Sequence, residues 1–466
     1  MKLHTALKSA ILLAAGLCAS AASGASNGDQ HLVVHEWGTF TSLQDERGNA
    51  IGGINTDDEP VPAFVHNLHE SLIQTASQVP PIYFKGWPRC DQEVLVRLET
   101  PVIYFHLPEG SPPVHLDVDV QFQGGWLTQF YPDAKASAPG LHDENVKHGT
   151  LSSATVGSLS WHNLTVGTNG TGPKTTERVW TAPREVEAAN VTTAAGESER
   201  YLFYRGVGHL KAPLTVSRDA ETNQLQIRAD WTQWVQADQR FTVGPLWLVD
   251  VRGDGRCAVR TIDPISMQRK GDEPLAKISA SFSPEDYRPD SLARIRLELR
   301  AALIAQGLYG DEADGLLNTW EVSYFKRPGT RLFFMVPPVW TQHYLPLHIS
   351  QSAYMTRAMV GRIELVMPRQ RQLMAQIARG PASSPQWLFD MLKQMSATRQ
   401  NMYEESFYQS AFNGKVTLSG SQIPADYRAY LDMGRFRNAL ILDELQHHPT
   451  QALQQFVKNY QLNSDE

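Results

Sequence analysis

LVVHEWGTFTSL, residues 32–43, is the stretch on which the reading of the fold turns. It is rich in β-branched and aromatic residues and reads as a strand. Side chains alternate along a strand, so His35, Trp37, Thr39 and Thr41 share one face and Glu36 takes the other. Working outward, residues 114–122, VHLDVDVQF, alternate more cleanly: Val114, Leu116, Val118, Val120 and Phe122 face one way, and His115, Asp117 and Asp119 the other. Residues 94–107 (interrupted at Pro101), 159–166, 201–204, 214–218, 224–231 and 245–251 continue the pattern, and 214–231 has the form of a hairpin turning at 219–223.

Beyond a soft boundary at 281–289 the period changes. Leu292, Ile295, Leu299 and Leu303 recur at helical spacing and Gly307 stops the run. Residues 311–320, 369–379, 385–412, 435–446 and 451–460 read as further helices, and 331–336 and 359–366 as strands. The expected fold is α+β: an N-terminal antiparallel β-sandwich-like region over 26–282, then a mainly helical C-terminal region with some strands over 283–466.

Residues 1–25 read as a secretory leader: Lys2 and Lys8 precede a short apolar run from Ala10 to Ala22, and small residues follow to Ala25. The run is too short to span a bilayer. Leu17 stands where a lipoprotein signal wants a small residue, which argues against a lipid anchor at Cys18. The expectation is a periplasmic or extracellular protein with no transmembrane segment in its mature chain. The whole chain of 466 residues carries 42 Lys and Arg against 49 Asp and Glu, and no basic tract. That balance excludes phosphate-neutralising nucleic-acid binding. Past the leader, Cys90 and Cys257 either pair, as an oxidising compartment allows, or stand as two buried thiols.

Several motifs fail on context. GASNG at 24–28 matches a nucleophile elbow but lies at the leader junction with no strand before it. GTNGTGPK at 167–174 resembles a phosphate loop but contains Pro173 and no following Gly-Lys-Ser/Thr. There is no HExxH, CxxC or GxGxxG.

Four groups of residues remain. His35-Glu36 offers a metal ligand or base beside a carboxylate, although a regular strand sends the two to opposite faces. Asp57, Asp58 and Glu59 are three adjacent carboxylates that would welcome a divalent ion or serve as an acidic loop before a helix starting near Pro62. On that helix His66 and His69, three apart, could ligate the same ion. His115, Asp117 and Asp119 read as a solvated strand face, and Arg362 with Glu364 as a surface pair. Arg205, in Arg205-Gly206-Val207-Gly208-His209, could bind an anion where glycines let a ligand approach the backbone.

The segments HEWGTFTSLQDERGNAIGGINTDDEPVPAFVH (35–66), ETPVIYFH (99–106), GGWLTQFYP (124–132), GESERYLFYRGVG (196–208) and TWEVSYF (319–325) resemble a family of exported bacterial proteins that share a HEWGTFT segment near the mature N-terminus. No catalytic role comes with the resemblance. The residues themselves support two expectations. One is a metal-dependent hydrolase of the cell envelope, with His35, Glu36 and Arg205 catalytic and a divalent ion on His35, Asp57, Asp58, Glu59, His66 and His69. The other is a non-catalytic glycan- or protein-binding envelope protein, its tryptophans and tyrosines supplying stacking surfaces and any ion being structural.

Overall fold

The computed structural model describes residues 31–56, 60–68, 83–84, 87–88, 90–141, 151–229, 241–267, 274–388 and 423–462. The leader, Asp57–Glu59, His69 and most of the expected 385–412 helix lie outside them.

The 32–43 stretch forms β1 (Leu32–Gln44), and it is buried along almost its whole length. Both flanks are filled. On one side lies β2 (Val96–His106), antiparallel; on the other lies a strand from far down the chain, Ala353–Leu365, paired parallel from Leu32↔Ala353 to Gln44↔Leu365. Other members are β3 (Val114–Gln123), β4 (Gly125–Tyr131), β5 (Val156–Val166), β6 (Leu202–Gly208), β7 (Leu246–Val251), β8 (Cys257–Ile262) and β9 (Gly329–Met335), with Ala353–Leu365 as β10. The main path runs β5–β4–β6–β2–β1–β10–β9–β7–β8, inside one mixed sheet of 15 strands.

This corrects the sandwich expectation. The chain is α+β, but its N-terminal strands do not make a self-contained sandwich, because β10 of the C-terminal half sits beside β1, and β9 beside β10, in the same sheet. The hairpin at Leu214–Arg218 and Gln224–Ala229 does form, in a separate three-stranded sheet with Ala276–Ser279.

Between β1 and β2 the register shifts at Gly38, opposite the kink that Pro101 and the left-handed Thr100 (φ 49°) put into β2. A Cβ on Gly38 would lie 2.9 Å from the Met359 sulfur and 3.0 Å from Pro101 Cα, so only glycine lets the kinked strand close.

The two faces of β1 meet different partners. Val34 and Phe40 pack with Val118, Val120 and Phe122 of β3 and with Leu159 and Trp161 of β5. Trp37 packs with Val102 and Tyr104 of β2 and with α1 (Ser291–Ala305) and α2 (Gly310–Thr319) through Ile295, Leu299, Leu303, Leu316 and Leu317. Their spacing is the 3.6-residue period read from the sequence, and each such side chain contributes roughly 1.5–3 kcal/mol when buried. A third core joins α3 (Pro368–Arg379), α4 (Ala425–Asp432), α5 (Arg437–His447) and α6 (Gln451–Asn459) to Leu43, Val94 and Trp126.

Candidate metal centre

His35 lies on the helix-facing side of β1, the same side as Trp37. On β2, Tyr104 pairs with His35 and His106 pairs with Val33. His106 is therefore a diagonal same-face neighbour of His35, within reach of a long side chain. The two imidazole centroids lie 5.2 Å apart.

The first turn of α2 lowers a carboxylate between them. Glu312 Oε2 lies 2.7 Å from His35 Nδ1 and Oε1 lies 2.9 Å from His106 Nε2. Tyr309, just ahead of the helix, donates its backbone N–H to Glu312 Oε2 at 2.7 Å, half of a capping box. Asp311 ties down the same turn: it accepts the Glu312 N–H at 3.0 Å and the Glu187 N–H at 2.8 Å. Glu312 is fully buried, His35 nearly so, and the His106 side chain keeps 13% of its surface exposed. Tyr309 covers the group, its ring 4.6 Å from His35 and 4.8 Å from His106, with 46% of its own surface still in solvent.

Burial pushes the Glu312 carboxyl up, but hydrogen bonds from His106 and His35, the His35 charge and the Tyr309 N–H outweigh it and hold the group at about 2. It is a fixed anion at any physiological pH. Beneath the group Tyr104 donates its hydroxyl to Pro183 O at 2.8 Å. Burial, then the charges of Glu312 and Asp311, push that phenol well above its ordinary range, so it stays protonated.

His35, His106 and Glu312 each offer one ligand atom, all within 4.8 Å of one another. Two imidazole nitrogens and a carboxylate oxygen suit Zn²⁺ and other borderline divalent ions. No other such group occurs among the described residues.

Of the residues singled out in the sequence, only His35 joins this group. Glu36 points to the opposite face, fully buried, where it pairs with Arg357 Nε at 2.5 Å and accepts the Tyr204 hydroxyl at 2.5 Å. Arg205 is also fully buried: its guanidinium lies over Phe203 and Trp320 and donates to Thr100 Oγ1 at 3.2 Å. His66 is in a two-residue strand beside β4, not in a helix starting near Pro62. It holds Glu197 at 2.9 Å and stacks on Tyr131. Asp57, Asp58, Glu59 and His69 fall outside the described residues.

His115, Asp117 and Asp119 do lie on an open strand face, with Asp117 and Asp119 meeting Asn163 N and Ser160 Oγ. Arg362 and Glu364 are not a surface pair. Both are buried, Arg362 Nε donates to Glu364 at 2.6 Å, and Arg331 adds a second cation at 3.1 Å. Cys90 and Cys257 are two separate buried thiols. Trp37, Trp126, Trp161, Trp180, Trp247, Trp320 and Trp340 are all fully buried and offer no stacking surface.

His106 and Glu312 carried no local signal. His106 ends an apolar strand, and Glu312 looks like an ordinary acid in the first turn of a helix.

No family model matches the chain, and no curated protein matches it. Among solved structures it is similar to the Fcho1 Mu homology domain of Danio rerio with bound Eps15 peptide, at 8% identity over 72% of this chain and 95% of that one. The TM-score is 0.27, which carries no argument about fold or function.

Proposed function

We propose that this protein is an exported hydrolase that works with a divalent ion held by His35, His106 and Glu312. The observation that supports this reading is the buried imidazole–carboxylate–imidazole group itself. Three protein ligands leave a fourth position for water, the arrangement of catalytic rather than closed structural zinc sites. A bound ion would supply a water acidified toward neutral pH.

The chain's own residues prepare that chemistry. Glu312 is ionised before any ion arrives, so no proton must leave it on binding. Asp311 and the Tyr309 N–H fix its turn. Rigid strands hold both imidazoles, and Tyr104 closes the floor without acting as an acid. Glu36 and Arg205 stand apart from this group, Glu36 paired with Arg357 on the opposite face and Arg205 over Phe203 and Trp320, and this reading gives them no role.

Export belongs to the same proposal and rests on the leader-like residues 1–25 and on the likeness to exported HEWGTFT proteins. No helix among the described residues is long and apolar enough to cross a membrane. The test is activity of the full chain against a panel of ester, amide and glycoside substrates before chelation, after it, and after return of zinc or manganese. Hydrolysis that disappears and returns with the ion supports the reading. Hydrolysis indifferent to chelation, or retained in His106→Ala, overturns it.

A further inference from the structure

The covering of the metal group is aromatic and exposed. Tyr309 and Tyr354 are among the few large apolar side chains of the described residues that face solvent, at 46% and 64% exposure. They belong to one place. Val33 of β1 has His106 of β2 on one side and Tyr354 of β10 on the other. Tyr354 therefore stands two strands from His106 in the same row, about 10 Å away.

The turn between α1 and α2 rests on this row as well. A Cβ on Gly307 would lie 3.2 Å from Thr356, two residues along β10 from Tyr354 and on the same face. His31 extends the platform, its ring set edge-on to Tyr354 at 5.1 Å.

Asp311 is the half-buried carboxylate of this rim, while Glu312 lies fully buried with its oxygens held by His35, His106 and the Tyr309 N–H. Two cations of the elements that carry this row are engaged elsewhere: Arg357 of β10 with Glu36 at 2.5 Å on the opposite face, and Arg300 of α1 with Asp314 at 2.9 Å. A phosphorylated or carboxylated substrate would need a free Arg or Lys to receive it. A tyrosine platform offers instead an apolar face and a hydrogen-bonding hydroxyl side by side. That pairing matches a neutral sugar ring, whose C–H face is apolar and whose rim is hydroxyl.

We infer that Tyr354, Tyr309 and His31 form a subsite for a neutral saccharide, leading to the His35–His106–Glu312 group. The inference names the substrate class of the proposed hydrolase and rests on that reading for the reaction, though not for the binding.

The probes are soluble neutral hexasaccharides of β-linked glucose and of N-acetylglucosamine. Binding to the full chain is followed by saturation-transfer NMR and calorimetry, with metal content measured on the same samples. The expected result is binding of at least one probe, weakened about three- to tenfold in Tyr354→Ala and retained in Tyr354→Phe, with the metal content unchanged. Tyr354 is so exposed that its truncation leaves the fold alone. Failure of both probes to bind the metal-loaded protein, or binding indifferent to both Tyr354→Ala and Tyr309→Ala, overturns the subsite while leaving the metal reading standing. Tyr354-dependent binding to a protein that takes up no ion sustains the subsite and removes the metal reading.

Discussion

Replacing Glu312 by glutamine in metal-free protein isolates the electrostatics of the site. The carboxyl sits at about 2 in the folded chain against an ordinary 4.5. A displacement of that size corresponds to about 3 kcal/mol of stability, an upper figure because glutamine keeps part of the hydrogen bonding. The value is depressed, so the contribution is complete above pH 4.5 and is lost as pH falls toward 2. Roughly half of it remains near pH 3. The assay is urea unfolding of both proteins, chelated and dialysed, at pH steps from 7 to 3. The expected result is a gap that is constant from neutrality to about pH 5 and then narrows. A gap equally wide at pH 3 and pH 7, or none at pH 7, would refute the account of Glu312 as a fixed, His-held anion.

Three further outcomes follow from the packing. Glu36→Gln leaves the Arg357 guanidinium buried beside an uncharged partner and should destabilise the fold by about 3–5 kcal/mol in denaturant without altering metal uptake. Gly38→Ala forces a methyl against the Met359 sulfur and the Pro101 backbone and should cost about 1–3 kcal/mol, seen as a lower urea midpoint. Cys90 and Cys257 should both react with a thiol reagent, without prior reduction, once the protein is unfolded. Burial holds the Cys257 thiol up at about 11, so it should be inert in the native state. A disulfide-linked peptide in a non-reducing digest would contradict the packing of both residues.

How much of this was legible in the sequence depended on range. The helices Ser291–Ala305, Gly310–Thr319, Pro368–Arg379 and Gln451–Asn459 follow from a period of 3.6, and Leu32–Gln44 and Val114–Gln123 from strand patterning. These signals live within a dozen residues. The parallel pairing of Leu32 with Ala353 does not, and without it the β-rich first half looked like a sandwich of its own.

The same blindness produced the error at Arg362 and Glu364. Alternating charges mean a wet face on an outer strand, but β10 lies in the middle of the sheet, its 358–365 half is buried on both faces, and the charges satisfy one another inside. The helix expected to start near Pro62 and carry His66 is another miss: His66 sits in a two-residue strand paired with β4, a partner more than 60 residues further along the chain. His35 was found because histidine beside glutamate in a strand stands out. Its partners are 71 and 277 residues further on in a chain whose fold alone makes them neighbours, so neither could be singled out.

The central claim is that His35, His106 and Glu312 hold an ion. Elemental mass spectrometry on full-length protein purified without chelator tests it most directly, with His106→Gln alongside, because an amide there can still donate to Glu312 and keeps the buried carboxylate a partner. The account predicts one transition-metal ion per chain in the parent and none in the variant, both folded by circular dichroism. A folded parent that carries no ion, and takes up none from added zinc or manganese, would contradict it and leave the three residues as a clamp that pins α2 to the sheet.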